Sequence, residues 1–278
     1  MAVAGSSIRC FPLSMMPCCL PMKILVCVKE VPTPESRFAF QHDPPGYTET
    51  GLSFRMNLYD EYALEEALCL QEILPGSSVT AVSVGPARVQ STIRRALGMG
   101  ANRGVHLLDE SATARDAFGI AAEIASWARD QRFDLILTGM MAEDDQRCQT
   151  GPFLACLLGM IYATAVLRFE LDIARSTVAA EREREHGFSE ILLLPLPALL
   201  AVQSSTRQPR YPSLSNKLRA KRQSVEVIRK AEGMEIPRLL EMVQVGLPES
   251  IRSTVFLSGT PEEEAAGLLD VLERRQLL

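Results

Sequence analysis

The chain of 278 residues is poor in the residues and long apolar runs that identify many enzymes and membrane proteins. It has one tryptophan and three histidines, and no apolar run approaches the roughly 20 residues that a membrane-spanning helix needs. His42, His106 and His186 lie far apart, so neither a histidine-based metal site nor a serine–histidine–aspartate triad is indicated. The sequence therefore predicts no catalytic residue, no metal site and no integral membrane protein.

The glycine-rich signatures of nucleotide-binding enzymes are also absent. There is no G-x-G-x-x-G sequence and no Walker A lysine, so neither Rossmann-type dinucleotide binding nor P-loop phosphoryl transfer is predicted. The net charge of -5 disfavours a dedicated nucleic-acid-binding protein, because binding to a phosphate backbone requires a basic surface. Seven cysteines without metal-ligand spacing do not suggest a disulfide framework, and they favour a reducing, cytoplasmic location.

The first 21 residues have the character of an irregular head rather than of a core element. Pro12, Pro17 and Pro21 interrupt the apolar part of this head, which also lacks the basic start of a secretory signal peptide. Met22 directly precedes KILVCVK, which has the pattern of a buried strand. We therefore expect the biological start to be Met22 and residues 1–21 to be disordered.

From residue 22 onward, strand patterns alternate with helix patterns. The predicted strands are Lys23–Lys29, Val79–Val84, Val105–Leu108 and Leu135–Thr138. The predicted helices are residues 57–73, 89–99 and 114–130, and residues 30–56 form a long connection rich in proline and glycine. This order predicts an α/β fold in which a mostly parallel sheet is covered by helices on both faces.

A polar loop follows the last of these strands and leads into another helix. The strand breaks at Gly139, and the next helix is expected to start near Thr150, whose side chain can cap it. Pro152 suits the first turn, because its missing N–H would be unpaired there in any case. Unpaired amides and the positive end of the helix dipole attract anions, so we predict that this loop binds a phosphate.

Other readings of the same loop are weaker. Glu143, Asp144 and Asp145 offer carboxylates to a magnesium ion, although an acidic cluster in a loop is more often a solvated turn. Cys148 lies near a helix start, where a thiol can become reactive, although a small residue packed beside a ligand is the more common case.

The pattern changes after the helix that begins near Thr150. Val166–Ile173, Thr177–Glu185 and Ile191–Leu194 predict an antiparallel meander added to the sheet, and Ala198–Val202 is a further core strand. Six cations lie between residues 207 and 222 without one acid, so we expect an arm outside the core. The predicted division is the head 1–21, a nucleotide-binding α/β domain 22–202, the arm 203–230, and an extension 231–278 with a final helix.

Six separated motifs, in order along the chain, resemble the electron transfer flavoprotein β subunit. They are Lys23–Lys29 (KILVCVK), Asn57–Ala67 (NLYDEYALEEA), Ala81–Ala87 (AVSVGPA), Arg95–Gly104 (RALGMGANRG), Asp144–Gly151 (DDQRCQTG) and Pro209–Asn216 (PRYPSLSN). The resemblance covers about residues 22–230, and beyond them only the final helix, at about residues 261–275, is similar.

The resemblance implies an electron carrier without catalytic residues, the β half of a heterodimer whose α subunit holds most of the FAD. In this family the β subunit typically buries an AMP that has a structural role. Carried over to this chain, the cofactor-binding residues are Cys27, Asn57, Leu58, Tyr59, Asp60, Val84, Gly139, Ala142, Asp144, Asp145, Gln146, Cys148, Gln149 and Thr150. They include the loop in which the residues alone predict a phosphate.

The loop departs from the family pattern D-D-D-x-N-Q-T-G, because it lacks the third acid and the asparagine. A branch of the family binds a second FAD in place of AMP, bifurcates electrons from NADH, and usually has glycine where Asp145 stands. The bulk and charge of Asp145 therefore favour AMP, whereas Val31-Pro32 and Gly151-Pro152 resemble the bifurcating branch. We expect AMP, with a second FAD as the alternative.

The resemblance also implies partners and a docking residue. It implies acyl-CoA or related dehydrogenases as electron donors, as in fatty acid oxidation, and a quinone-linked oxidoreductase as acceptor. Leu214 stands where the family has an anchoring leucine, and Arg219, Lys221 and Arg222 are suited to steer the encounter.

Two other functions remain open from the sequence. A stand-alone sensor of adenine nucleotides would explain the phosphate loop but not the basic arm. Contact of that arm with nucleic acid is disfavoured by the acidic balance of the whole chain.

Overall fold

The computed structural model describes residues 21–43, 45–112, 115–204, 207–229, 236–246 and 254–277. The predicted head therefore lies outside the described residues, except for Pro21. The chain forms two compact units. The larger unit runs to Ala39 and resumes over Thr48–Met242, and the smaller unit comprises Phe40–Tyr47 and Val243–Leu278.

The strands and helices follow one another in the alternating order that the sequence predicts. The strands are β1 (Lys23–Cys27), β2 (Glu30–Pro32), β3 (Ala39–His42), β4 (Pro45–Thr48), β5 (Phe54–Met56), β6 (Ser78–Gly85), β7 (Arg103–Leu108), β8 (Leu135–Gly139), β9 (Ile161–Asp172), β10 (Thr177–Glu183), β11 (Ser189–Pro195), β12 (Ala198–Val202) and β13 (Glu226–Arg229). The helices are α1 (Leu58–Ile73), α2 (Gln90–Met99), α3 (Ala117–Ala128), α4 (Thr150–Leu158), α5 (Leu214–Arg222) and α6 (Pro261–Arg274).

Nine strands form one sheet in the order β11-β10-β9-β12-β8-β1-β6-β7-β13. All neighbours from β9 to β13 across this sheet pair in parallel, and β9, β10 and β11 form an antiparallel meander. Both the parallel sheet and the added meander are thus confirmed. The chain order reverses at β1, since β6 and β7 lie on one side of it and β8 on the other. In parallel sheets such a reversal opens a crevice at the carboxyl ends of the strands.

Helices cover both faces of the sheet, as the sequence predicts. On one face, buried residues of α1 and α2 pack against alternate strand residues such as Ile24 and Val26. On the other face, α3 and α4 pack against Leu25, Ile136 and Leu199. Strands buried on two faces are apolar at consecutive positions, and β1 is buried from Ile24 to Cys27.

Several element boundaries differ from the sequence prediction, and the long connection 30–56 contains short strands. In this connection β2 pairs with β5 and β3 with β4. Strand β9 starts at Ile161 rather than Val166. Helix α3 begins at Ala117 rather than Ala114, because the Asp116 side chain accepts the N–H of Gly119 and caps the helix there.

The prediction that the basic arm lies outside the core is wrong for much of its length. Helix α5 packs on α2, its Ala220 is buried in the same core cluster as α1 and α2, and β13 extends the sheet beside β7. The sequence misses this because α5 buries an alanine and leaves Leu214 and Leu218 exposed.

The final helix predicted near residues 261–275 is confirmed as α6, which begins with a capping box between Thr260 and Glu263. Within the described ranges, no helix combines the length and the apolar character that crossing a bilayer requires.

Candidate functional site

The predicted cofactor-binding residues come together where β1, β6 and β8 end. Cys27 is the last residue of β1, and Gly139 is the last residue of β8. Val84 precedes Gly85, the last residue of β6. Residues 57–60 at the start of α1 lie across these strand ends, because Asp60 accepts a hydrogen bond from the N–H of Gly139. The site is therefore the crevice at the reversal of strand order.

Asp60 joins the two central strands to α1. Its carboxylate accepts the backbone N–H of Lys29, just beyond β1, at 2.7 Å and that of Gly139 at 2.9 Å. The side chain is almost fully buried. Burial raises the pKa of Asp60 to about 7, although the two backbone donors and the nearby Lys29 charge act in the opposite direction.

Gly139 allows this close approach. A Cβ at Gly139 would overlap Oδ1 of Asp60 and lie 2.8 Å from Cβ of Tyr59. A side chain here would push the start of α1 away from the end of β8. The glycine that ends the strand in the sequence is thus required by the packing of the site.

Asn57 ties the loop after β8 to the start of α1. Its Nδ2 donates to the carbonyl of Met141 at 2.9 Å, and its Oδ1 accepts the N–H of Glu143 at 3.0 Å. The Glu143 carboxylate in turn pairs with Arg55 at 2.7 Å and accepts the N–H of Leu58 at 3.2 Å. These contacts fix the first half of the loop.

Lys29 holds the acidic part of the same loop. Its Nζ lies 2.7 Å from Oδ1 of Asp144 and 3.1 Å from Oδ2 of Asp145. Burial acts to lower the pKa of Lys29, but the two carboxylates raise it above its ordinary value, so the ammonium is charged. One cation thus balances one of the two negative charges and holds both carboxylates in place. Among the described residues no cluster suited to hold a metal ion is found.

Helix α4 starts at Thr150, as the sequence predicts, but its cap differs from the prediction. Thr150 is the first helical residue and not the cap; Gln149 occupies the cap position, and its side chain makes no capping bond. The backbone of Cys148 has a positive φ of 56° and turns the chain into the helix. The prediction that Thr150 caps α4 is therefore wrong.

The same helix start nevertheless presents donors to the crevice. Within the described part of the chain, the N–H groups of Thr150 and Gly151 find no acceptor, and Pro152 has no N–H. The hydroxyl of Thr138 on β8 is buried and also lacks a partner among these residues. A Cβ at Gly151 would lie 2.9 Å from this hydroxyl, so helix and strand approach closely. Free donors at a helix start form an anion site.

Apolar and uncharged groups line the adjacent strand ends. Cys27 is buried, and burial together with the charge of Asp60 raises the pKa of its thiol, so the thiol stays neutral. Val84 is half-buried against the cluster beneath α3 and α4. Burial and the neighbouring Asp145 also raise the pKa of Cys148, so its thiol does not have the character of a nucleophile.

The remaining predicted residues lie in the loop after β8 and at the starts of α1 and α4. The carbonyl of Ala142 accepts the N–H of Gln146, whose φ is 51°, and the carbonyl of Gln149 accepts the N–H of Phe153. Leu58 is exposed. The structure thus places the predicted cofactor residues at the ends of β1, β6 and β8, at the start of α1, and in the loop that leads into α4.

The predicted docking residues form a second, separate surface on α5. Leu214, the first residue of the helix, is 75% exposed, and Leu218 one turn later is 51% exposed. Arg219, Lys221 and Arg222 occupy the last turn and are exposed. The surface is a pair of leucines beside three cations.

Sequence reasoning missed four residues of the first site: Lys29, Arg55, Glu143 as a loop anchor, and Thr138. Lys29 directly follows the first predicted strand, so its position at a strand end was an available signal. The ion pair of Arg55 with Glu143 and the close approach of Gly151 to Thr138 are tertiary contacts that no local pattern reveals.

Comparison with known proteins identifies a family to which the chain is similar. A family model described as "Electron transfer flavoprotein domain" matches residues 46–232. The protein named "Electron transfer flavoprotein subunit beta, mitochondrial" from Arabidopsis thaliana is 34% identical over 242 residues, which is 87% of this chain and 95% of the relative. "Electron transfer flavoprotein subunit beta" from Homo sapiens is 34% identical over 253 residues, 90% of this chain and 98% of the relative.

Proposed function

Because the chain belongs to the electron transfer flavoprotein β subunits, we propose that it is the β half of a heterodimeric electron carrier and not an enzyme. Its α partner holds most of the FAD that carries the electrons. Its donors are flavin dehydrogenases of the acyl-CoA dehydrogenase type, and its acceptor is a quinone-linked oxidoreductase. The β chain supplies a bound nucleotide and a docking surface.

The nucleotide is AMP, and its phosphate lies at the start of α4. The observation that carries this proposal is the group of unpaired donors there, namely the N–H groups of Thr150 and Gly151 and the buried hydroxyl of Thr138. Buried polar groups in folded proteins almost always have partners, so a ligand oxygen is the expected acceptor. The neutral wall of Cys27 and Val84 suits the uncharged part of a nucleoside.

AMP is favoured over a second FAD by Asp145. Its carboxylate pairs with Lys29 and also accepts the N–H of Arg147, so it fills its place in the loop. A flavin that replaced AMP would have to displace this side chain or its partner. Both side chains of this ion pair are about 40% exposed, so the pair itself contributes little energy. The bulk and charge of Asp145 are what argue against the bifurcating alternative.

The nucleotide content of the purified heterodimer tests this proposal. Denaturation should release about one AMP and one FAD per heterodimer, measured by chromatography against standards. Two FAD and no AMP would establish the bifurcating alternative instead. A colourless homodimer without flavin would establish the nucleotide sensor, and in that case the electron-carrier proposal is wrong.

Docking to the dehydrogenase is tested at Leu214. Leu214→Ala should slow electron transfer from the dehydrogenase at least several-fold, because a buried apolar anchor contributes much of the binding energy at an interface. The flavin spectrum and the melting temperature should stay unchanged, because the side chain is 75% exposed. Ile73→Ala, which removes another exposed aliphatic side chain on α1, is the matched control and should transfer electrons normally. Normal transfer by the Leu214 variant would move docking elsewhere.

The compartment is a separate part of the proposal. The described cysteines are all free, which agrees with the cytoplasmic location expected from the sequence. The Arabidopsis relative is named mitochondrial, so import into the organelle is the competing location. A fluorescent protein fused to the carboxyl end of the full chain should give diffuse cytoplasmic signal, and signal confined to mitochondria would contradict the expectation.

A further inference from the structure

Helix α5 exposes its leucines, unlike a helix that is held in place by burial of its apolar face. Its two leucines, Leu214 and Leu218, point away from the protein, and Ala220 is its one buried residue. Surface helices normally turn their apolar stripe toward the core. An alanine buries far less apolar area than a leucine, so the packing of Ala220 on α2 holds α5 less firmly than an apolar stripe of leucines would.

The helix is also too short to hold its shape alone. It has nine residues, and isolated helices shorter than about 12 residues are marginal in water. Its own cap, the Ser213 hydroxyl that accepts the N–H of Asn216, fixes one donor. Other groups must therefore determine where α5 lies and in which direction its leucines point.

Arg210 fixes the segment that enters α5. Its Nε and Nη2 donate to both oxygens of the Glu65 carboxylate at 2.8 to 3.1 Å, and its backbone N–H donates to the same carboxylate at 3.0 Å. Its Nη1 reaches Glu72 at 2.6 Å. Glu65 is buried on α1, and Arg210 holds the pKa of this carboxyl below its ordinary value despite the burial.

Arg94 fixes the other end of α5. Its Nη1, projecting from α2, lies 3.1 Å from the carbonyl of Ala220, 3.3 Å from that of Lys221 and 3.2 Å from that of Gln223. The last carbonyls of a helix have no partner within it, and a cation is favoured there by the helix dipole. Arg94 thus serves as a cap supplied by a neighbouring helix.

A close contact between α2 and the segment before α5 adds to the support that the two arginines give. A Cβ at Gly98 of α2 would lie 3.3 Å from Cβ of Pro212, so α2 and the segment before α5 touch directly. Tyr211 next to it receives a hydrogen bond from Lys217 at 2.8 Å. The helix is therefore fixed at both ends and along its entry, mainly by polar contacts.

We propose that Arg94 and Arg210 are positioning residues that hold α5 in the orientation in which Leu214 and Leu218 together enter an apolar pocket of the electron donor. The inference rests on the docking function proposed above and adds the groups that prearrange the docking surface. Leu218 is exposed one helical turn from Leu214 and extends the same apolar ridge. A surface that is already in its bound conformation loses less entropy on association.

The expected effect of loosening α5 is a weaker encounter with an unchanged rate at saturation. Arg94→Met removes the external cap, and Arg210→Lys keeps the charge but cannot donate two parallel hydrogen bonds to one carboxylate. Both variants should raise the KM for reduced dehydrogenase about fivefold. The limiting rate should be unaltered, because the flavin chemistry does not involve these residues.

Hydrogen exchange gives a readout that does not need a partner. In the intact heterodimer, the amides of residues 217–223 should exchange at least several-fold faster in both variants, while the amides of β1 and β8 keep their protection. Arg175→Met, which removes an exposed arginine from the turn between β9 and β10, is the matched control and should change neither exchange nor KM. Arg94→Lys should restore part of the protection and part of the affinity.

Two results would overturn the inference. Unchanged exchange in α5 would mean that the two arginines do not hold the helix. Faster exchange with an unchanged KM, in an assay where Leu214→Ala raises KM, would mean that the held orientation does not matter for docking. An unchanged KM in Leu214→Ala itself would remove the docking function, and with it the role of Arg94 and Arg210, whatever the exchange rates are.

Discussion

Asp60 places a carboxyl group where water hardly reaches, at the junction of β1, β8 and α1. The charge of this group differs between the folded and the unfolded chain, because burial in the folded chain raises its pKa to about 7. In the unfolded chain an aspartate has a pKa of about 3.9. The folded form therefore binds a proton over a range of pH in which the unfolded form does not.

This difference predicts a pH dependence of stability. As the pH rises from about 4 to about 7, the free energy of unfolding should fall, because the folded chain keeps the Asp60 proton and the unfolded chain releases it. The full contribution of a shift of about three pKa units is on the order of 4 kcal/mol. Asp60→Asn lacks this titration. Its free energy of unfolding relative to the wild type should therefore increase across the same pH range, as measured by urea unfolding at fixed pH values. Parallel pH profiles for the two proteins would contradict the prediction.

A second prediction at the scale of single residues concerns Gly139. Gly139→Ala should lower the free energy of unfolding by about 1–3 kcal/mol, because the new methyl overlaps Asp60 and forces α1 away from β8. The nucleotide should also be lost more readily on dialysis. Gly246→Ala is the control, because a methyl there meets no atom within 4 Å. Equal stability of the two variants would show that the crevice adapts to the added methyl.

At the scale of elements, the strands and helices of the core were predictable and the details of their ends were not. The period of apolar residues gives α1, α2, β6 and β8 directly, since each buries one or two regular faces. The start of α4 near Thr150 was predicted correctly, but its cap was not, because the cap position falls on Gln149 after a turn in which Cys148 has a positive φ. The orientation of α5 depends on the pairing of Arg210 with Glu65, which are 145 residues apart.

Some features of the candidate site were also predictable from the sequence, and others were not. The loop that we predict to bind a phosphate was located from a strand, a polar loop and a helix start in sequence. The Lys29 contact with Asp144 and Asp145 did not, because it joins residues more than a hundred positions apart. The six-motif resemblance to the β subunits is confirmed by the family match, whereas the roles of single site residues stay predictions.

The cations of α5 lead to a prediction about association rates. Changing Arg219, Lys221 and Arg222 to glutamine should reduce the second-order rate with an acidic donor surface about tenfold at low salt. The difference from the wild type should shrink as salt is added, since salt screens exposed charges. Stopped-flow reduction of the flavin at several salt concentrations measures both effects. A rate that is independent of these charges at every salt concentration would exclude steering by α5.

At the scale of the whole molecule, the sheet begins at Lys23, and Met22 is the first described residue that is buried in its core. The N–H of Met22 donates to the Ser77 hydroxyl at 2.9 Å, a bond that a chain starting at Met22 can keep. We expect such a shortened chain to match the full chain in free energy of unfolding within about 0.5 kcal/mol, and to form the same heterodimer. Chemical denaturation and size-exclusion chromatography with the α subunit measure this. A loss of more than about 1 kcal/mol would show that the head is packed.

The position of α5 between β12 and β13 also sets an order for biosynthesis. Strands β1, β6 and β8 and the start of α4, which surround the crevice, leave the ribosome before α5, and β13 completes the edge of the sheet beside β7 after it. Chains generally fold from their amino-terminal parts as they are made. The proposed nucleotide site can therefore form in the nascent chain before α5 emerges, so a chain that is still being made lacks the surface proposed for docking.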